Sequence, residues 1–404
     1  MQMIVKPYIK EFESYGLGMF VHFGIYSVLG AGEWAKFSLH IPGEEYEALA
    51  RFFCPEKNWA EELVAAAKMA GCKYITITSR HHDGFSLYDT QGLSDFDAPS
   101  FCGRDLVREF VDACREGGII PFFYHTLVDW HMPSYKENFR AYLSYLRSSV
   151  EKLCTNYGKI GGFWFDGTWD KPQADWEQDA LYALIRTYQP EAMIINNTGM
   201  DAMGALGHIE LDSVTFERGN PKPINLEGAP KYIASEMCQV MNSHWGYARK
   251  DLGYCSTNVI IQELASCRRC GANYLLNVGP MENGLLRTID RGILEVLGQW
   301  VALNEEAIRT PRPTSIAIQD QPQDFLLKGA DAWYLFVWDA PMYNNPNGDR
   351  TERFPFPAVV RSVFWLDNGV PLPFVQDGGN LSVTATAFSY GENLVVRVAK
   401  IVTE

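Results

Sequence analysis

The chain has 404 residues, 47% hydrophobic and 21% charged, with a formal net charge of −14. That length exceeds what a single core normally fills, so one large domain with a smaller companion is expected. The acidity argues against nucleic acid and anionic membranes as partners and favours a neutral ligand.

Nine cysteines, an odd set, are scattered through apolar segments. They read as buried reduced thiols, not as a disulfide framework. Cys267 and Cys270 form one C-x-x-C without a second pair, so packing is the simpler reading. Met1 to Tyr15 carries no apolar leader segment and no later run is long enough to span a bilayer, so a cytoplasmic protein is expected.

In chain order, Met19 to Gly24 reads as a first strand carrying His22. An irregular loop from Ile25 to Leu39 holds Glu33 and Trp34. Asn58 is placed to cap a helix whose Trp59, Leu63, Ala66, Ala67 and Ala70 share one face, and Gly71 ends it. Tyr74 to Thr78 is β-branched and forms a second strand, running into Arg80-His81-His82-Asp83-Gly84. A helix from Leu106 to Glu116 stops at two glycines, and Ile119 to Tyr124 makes a third strand followed by His125. A long helix is expected from Tyr135 to Tyr157. Gly161-Gly162-Phe163-Trp164-Phe165-Asp166-Gly167 then reads as a buried fourth strand ending in a carboxylate. Gln178 to Tyr188 is helical, and Ala192 to Asn196 is the fifth strand. Val214 to Phe216, before Glu217, is the sixth, and Ser235 to Val240 the seventh. A helix from Val259 to Arg269, capped by Ser256-Thr257, leads to the eighth strand, Tyr274 to Val278.

This alternation predicts a (β/α)8-type barrel over 1–312, irregular around strands five to seven. Beyond Pro313 the helical period disappears. Trp333 to Trp338, Val359 to Leu366, Asn380 to Ala387 and Asn393 to Val402 alternate between turn residues. They predict a small C-terminal antiparallel β-sandwich over 313–404.

Barrels keep their chemistry at the carboxyl ends of the strands. There the sequence sets His22, His81, His82, Tyr124, His125, Trp164, Asp166, Asn196, Asn197 and Glu217. Half of the chain's eight histidines fall in this set, a convergence that packing alone does not explain. Two chemistries fit. One is a metal site built from His22, His81, His82 and Asp166, although adjacent residues on an extended segment point to opposite faces and make a poor chelating pair. The other is a carboxylate pair, Asp166 with Glu217, cleaving a glycosidic bond. Glu210, Glu227 and Glu236 compete for the acid role, with Glu236 the strongest because it lies inside the seventh strand.

Taken together, Gly18-Met19-Phe20-Val21-His22-Phe23-Gly24, Gly32-Glu33-Trp34, Arg80-His81-His82-Asp83-Gly84-Phe85, Trp164-Phe165-Asp166-Gly167 and Leu275-Leu276-Asn277-Val278-Gly279-Pro280 resemble the retaining α-L-fucosidases of glycoside hydrolase family 29. The likeness runs from about residue 10 to residue 310. It implies a barrel with a C-terminal sandwich, a terminal α-L-fucose substrate and no cofactor or metal. It implies Asp166 as nucleophile and Glu217, in Thr215-Phe216-Glu217-Arg218, as acid/base. His22, Glu33, Trp34, His81, His82 and Tyr124 resemble the contacts to fucose hydroxyls. Trp164, Trp245 and Phe20 resemble the apolar wall. Where members often carry Tyr-Ser after the third strand, this chain has Tyr124-His125.

Overall fold

Eight strands, β1 (Leu17–Val21), β2 (Tyr74–Arg80), β3 (Ile120–Thr126), β4 (Gly162–Asp166), β5 (Met193–Asn196), β6 (Ser213–Glu217), β7 (Ala234–Val240) and β8 (Asn273–Val278), are buried along nearly their whole length. Parallel strands are buried in this way when helices cover one face and a filled barrel the other. In the computed structural model, which describes residues 3–219, 221–227, 229–343 and 348–404, these strands pair in chain order. β8 pairs in parallel with β1 and closes the barrel.

The barrel interior is packed, not hollow. Phe20, Tyr74, Phe122, Tyr124, Trp164, Met193 and Ile195 form one cluster, into which α1 (Pro7–Ser14) inserts Ile9 and Phe12 from below. Aromatic rings this large fit because glycine stands opposite them. A Cβ on Gly161 would come within 2.1 Å of the Phe122 ring, and one on Gly162 within 2.5 Å of the Met193 carbonyl.

The helices between strands are α2 (Trp59–Met69), α3 (Leu106–Gly117), α4 (Phe139–Asn156), α5 (Gln178–Tyr188) and α6 (Thr257–Cys270); α7 (Thr288–Ile308) follows β8. The expected irregularity is present. Between β5 and β6 there is a single 3₁₀ turn, Met200–Ala202, and among the described residues no helix joins β6 to β7. β5 meets β6 through one registered pair, Ile195 with Ser213.

Two local expectations need correction. The helix expected from Tyr135 to Tyr157 is broken at Asn138 (φ −149°, ψ 81°), whose side chain accepts from the Ala141 N–H and starts α4 afresh. Asn58 makes no side-chain cap on α2; Glu61 and Glu62 in its first turn face the helix dipole instead. Ser256 does cap α6, accepting from the Val259 N–H.

The C-terminal part consists of two antiparallel sheets. One orders β13 (Val360–Trp365), β16 (Val396–Thr403), β11 (Ala332–Trp338), β10 (Phe325–Lys328) and β9 (Arg312–Pro313); the other orders β12 (Arg350–Pro355), β15 (Asn380–Ala385) and β14 (Phe374–Asp377). Their inner faces share a core that includes Leu335, Val337, Trp365, Phe354, Leu381 and Ile401. β12 escaped the sequence reading because its inward positions are Glu352 and Phe354, so no apolar alternation marks it. Glu352 is buried beside Arg350, which also holds Asp324.

Compactness does not follow chain order. One unit is Met1–Cys255 with Asn273–Glu295; the other joins Ser256–Ala272 to Val296–Glu404. Within the second, α6 packs on β9, β10 and β16. Among the described residues no helix is long and apolar enough to cross a membrane.

Candidate active site

The strand tips at the carboxyl end of the barrel open into a cleft of about 580 Å³. Phe20, His22, Glu33, Trp34, His81, His82, Tyr124, Trp164, Asp166, Glu217 and Trp245 all line it. These are the residues that the sequence reading assigned to binding or chemistry.

Asp166 is the last residue of β4, in register with Thr126 of β3. Gly167 follows at φ +117°, a conformation natural to glycine, and a 3₁₀ turn (Thr168–Asp170) carries Trp169 back over the carboxylate. The Trp169 indole N–H donates to Asp166 Oδ1 at 3.0 Å, and the Tyr124 hydroxyl donates to Oδ2 at 3.0 Å.

Glu217 ends β6, and Asn197 connects it to Asp166. The Asn197 amide nitrogen donates to Glu217 Oε2 at 2.7 Å and to Asp166 Oδ1 at 3.3 Å. Its own oxygen accepts from the Thr215 hydroxyl and the Gly199 N–H, which fixes the direction of the amide. The two facing oxygens therefore stand no further apart than the sum of those two bonds, so both carboxyls are turned to the same part of the cleft. Burial, with the charge of Asp166 next, raises the Glu217 carboxyl above the ordinary range.

Glu236, the rival, lies elsewhere. It pairs in register with Thr215, two residues below Glu217, and its side chain is buried inside the barrel. Its carboxyl accepts from the Trp164 indole at 2.9 Å and from the Tyr74 hydroxyl. It does not line the cleft.

The imidazoles are held neutral. Burial lowers His22 to about 3 and lowers His81 and His82 as well. Asn277 donates its amide to the Trp245 carbonyl, so its oxygen accepts from His22 Nδ1 at 2.7 Å. Thr126 gives its hydroxyl proton to the Val128 carbonyl, so His82 Nδ1 donates to that hydroxyl oxygen at 2.7 Å. In both rings Nε2 is left as an acceptor, suited to a sugar O–H. His82 Nε2 lies 3.5 Å from Asp166 Oδ2; the nearby carboxylate pulls the ring upward, but burial outweighs it. Glu33 accepts from the N–H groups of Trp245 and Gly246, tying the first loop to the loop after β7.

His81 and His82 both face the cleft, with ring centroids 4.3 Å apart. The alternation rule fails here because β2 stops at Arg80 and the two histidines sit in the turn closed by the Gly84 N–H to the His81 carbonyl. The same rule holds where the strand continues. His125 points away from the cleft to Arg80, and Asn196 donates to the Tyr182 hydroxyl. Trp169 and the bridging role of Asn197 were not foreseen. Trp169 was detectable only as an indole one turn past a strand-end aspartate. Among the described residues no group of three His, Cys, Asp or Glu is arranged to hold a metal ion.

Two carboxyls sharing one amide, one of them keeping its proton to higher pH, within a wall of indoles and proton-accepting imidazoles, define the class: a barrel glycoside hydrolase. The α-L-fucosidase family model matches residues 2–306, and the chain belongs to that family. It is 30% identical over 347 residues to tissue α-L-fucosidase of Mus musculus, covering 76% of this chain and 73% of that one. It is 28% identical to tissue α-L-fucosidase of Bos taurus over 90% of this chain and 83% of the other. Among solved structures, α-L-fucosidase isoenzyme 1 from Paenibacillus thiaminolyticus superposes with a TM-score of 0.85 at 26% identity, covering 98% and 99% of the two chains.

Proposed function

We propose that this chain removes terminal α-L-fucose from fucosylated oligosaccharides or glycoconjugates by double displacement, with Asp166 as nucleophile and Glu217 as acid/base. Asp166 attacks the anomeric carbon while Glu217 gives its proton to the departing oxygen. Glu217 then takes a proton from water, whose oxygen displaces the fucosyl group from Asp166. The observation that carries this reading is the single Asn197 amide spanning both carboxylates. The neutral rings of His22 and His82 accept hydroxyl protons from the sugar. Phe20, Trp164 and Trp245 offer a dry wall to the methyl group of a 6-deoxy sugar.

Asp166→Gly is expected to lower kcat by about 10⁴-fold or more while circular dichroism and Tm stay unchanged, the usual scale for loss of a nucleophile. Glu217→Ala should retain far more activity on aryl fucosides with good leaving groups than on natural ones, and azide should restore its slow second step. The alkaline limb of kcat/KM, where the raised Glu217 carboxyl loses its proton, should vanish in that variant. Azide rescue in Glu236→Ala instead of Glu217→Ala would transfer the acid role to Glu236.

A further inference from the structure

The rim of the cleft divides into two arcs. Phe20, His22, His81, His82, Tyr124 and Trp164 come from β1 to β4, and they form the pocket for the fucosyl ring. On the other side of Glu217 the lining comes from the tips of β5 to β7 and includes Met200, Asp201, Arg218, Ser243 and His244. The volume of about 580 Å³ suits a ligand larger than one deoxyhexose. An acid that protonates the departing oxygen must have the leaving group beside it, so this second arc is where that group lies.

We infer that Arg218 and His244 form the binding site for the first sugar of the leaving group, a neutral pyranose, and so help set which fucosylated glycans are cleaved. The inference rests on the fucosidase reading above. Arg218 immediately follows Glu217 and adopts φ +48°, a left-handed conformation uncommon for a residue other than glycine. Such strain persists where the surroundings enforce it and concentrates at functional sites. Here its guanidinium donates to the Ser243 carbonyl at 3.1 Å and lies 6.0 Å from the Trp245 ring centre. Those contacts use part of a five-donor fork and leave the rest for a ligand.

His244 is fixed by a separate device. Its Nδ1 donates to Asp251 Oδ2 at 2.8 Å, and that same oxygen accepts from the Ser243 N–H at 2.8 Å. Nδ1 is thereby occupied, and Nε2 is the ring nitrogen left for a ligand. Gly32, at φ +87°, makes room for the ring: a Cβ there would come within 2.7 Å of His244 Cδ2. A donor fork and a ring nitrogen held in a fixed orientation together match the hydroxyls of a sugar, each of which can both donate and accept. Met200, 65% exposed, supplies an apolar surface for the ring face. Asp166 and Asp201 line the same cleft as carboxylates, which disfavours an anionic leaving group.

The test compares kcat/KM for 4-nitrophenyl α-L-fucoside with kcat/KM for neutral fucosyl disaccharides of α1,2, α1,3, α1,4 and α1,6 linkage. Arg218→Gly and His244→Ala should each lower the disaccharide-to-aryl ratio about tenfold for the preferred linkage, the scale of one hydrogen bond's net contribution. Asp251→Asn should lower it by less. Arg218→Gly relieves the left-handed backbone, so its Tm should not fall, which separates loss of the contact from loss of fold. A ratio within twofold of wild type in both variants overturns the inference, as does a parallel fall on both substrate types. If wild-type protein cleaves the aryl fucoside but none of the disaccharides, the inference fails while the fucosidase reading stands. If it releases fucose from neither, the fucosidase reading fails and this inference falls with it.

Discussion

Glu236 shows how one side chain can matter to a site it does not enter. Its carboxyl sits beneath the cleft floor, holding the Trp164 indole from one oxygen and the Tyr74 hydroxyl from the other. Trp164 in turn stacks on Tyr124, at 5.7 Å between ring centroids, and Tyr124 donates to Asp166. Burial pushes the Glu236 carboxyl up to about 7. A carboxyl raised in the native state keeps its proton after the unfolded chain has lost its own. It therefore makes the fold progressively less stable as pH rises from about 4.5 to about 7, by about 1.4 kcal/mol for each pKa unit. The buried histidines act in the opposite sense over part of that window, so the measurement is a difference: the denaturation midpoint of Glu236→Gln, which still accepts from Trp164, should gain on that of the wild type as pH rises from about 4.5 to about 7. Glu236→Leu leaves the indole without a partner and should raise KM for fucosides, whereas a Gln variant as impaired as the Leu one would show that Trp164 needs the acid itself.

At the level of elements, the barrel places its chemistry through close approaches of backbone. Gly162 of β4 lies against the Met193 carbonyl of β5, and Asp166 stands four residues further along the same strand. Gly162→Ala has no room for its methyl group. It should cost about 1–3 kcal/mol as strands part, a typical overpacking penalty, and urea midpoints would measure it; kcat should fall too if the displacement reaches Asp166. The strands themselves were legible because continuous apolar runs between turn residues have few other meanings in an alternating α/β chain. The breaks were not. The kink at Asn138 depends on one side chain choosing to cap, and β12 hides its inward face behind the buried Glu352. In each case a polar side chain takes a structural role that the pattern of apolar residues does not mark.

At the level of the whole molecule, the net charge of −14 and the carboxylates of the cleft act together on approaching ligands. A neutral fucoside should show kcat/KM nearly independent of ionic strength. A sulfated fucoside should be cleaved poorly at low salt and improve as salt screens the repulsion over a Debye length of about 10 Å at 0.1 M. A sulfated substrate favoured at low salt would contradict that picture.

The amino-acid order by itself determined the barrel, the all-β end and the residues of the cleft wall, because strand-end positions and short motifs are local properties of the chain. Only the closed barrel decided that Asp166 and Glu217 share the amide of Asn197, and that Glu236 is sealed beneath them. It also turned His81 and His82 to the same side, beyond the point where β2 stops. Those outcomes depend on register and on where each strand stops, which long-range pairing sets and no stretch of sequence contains.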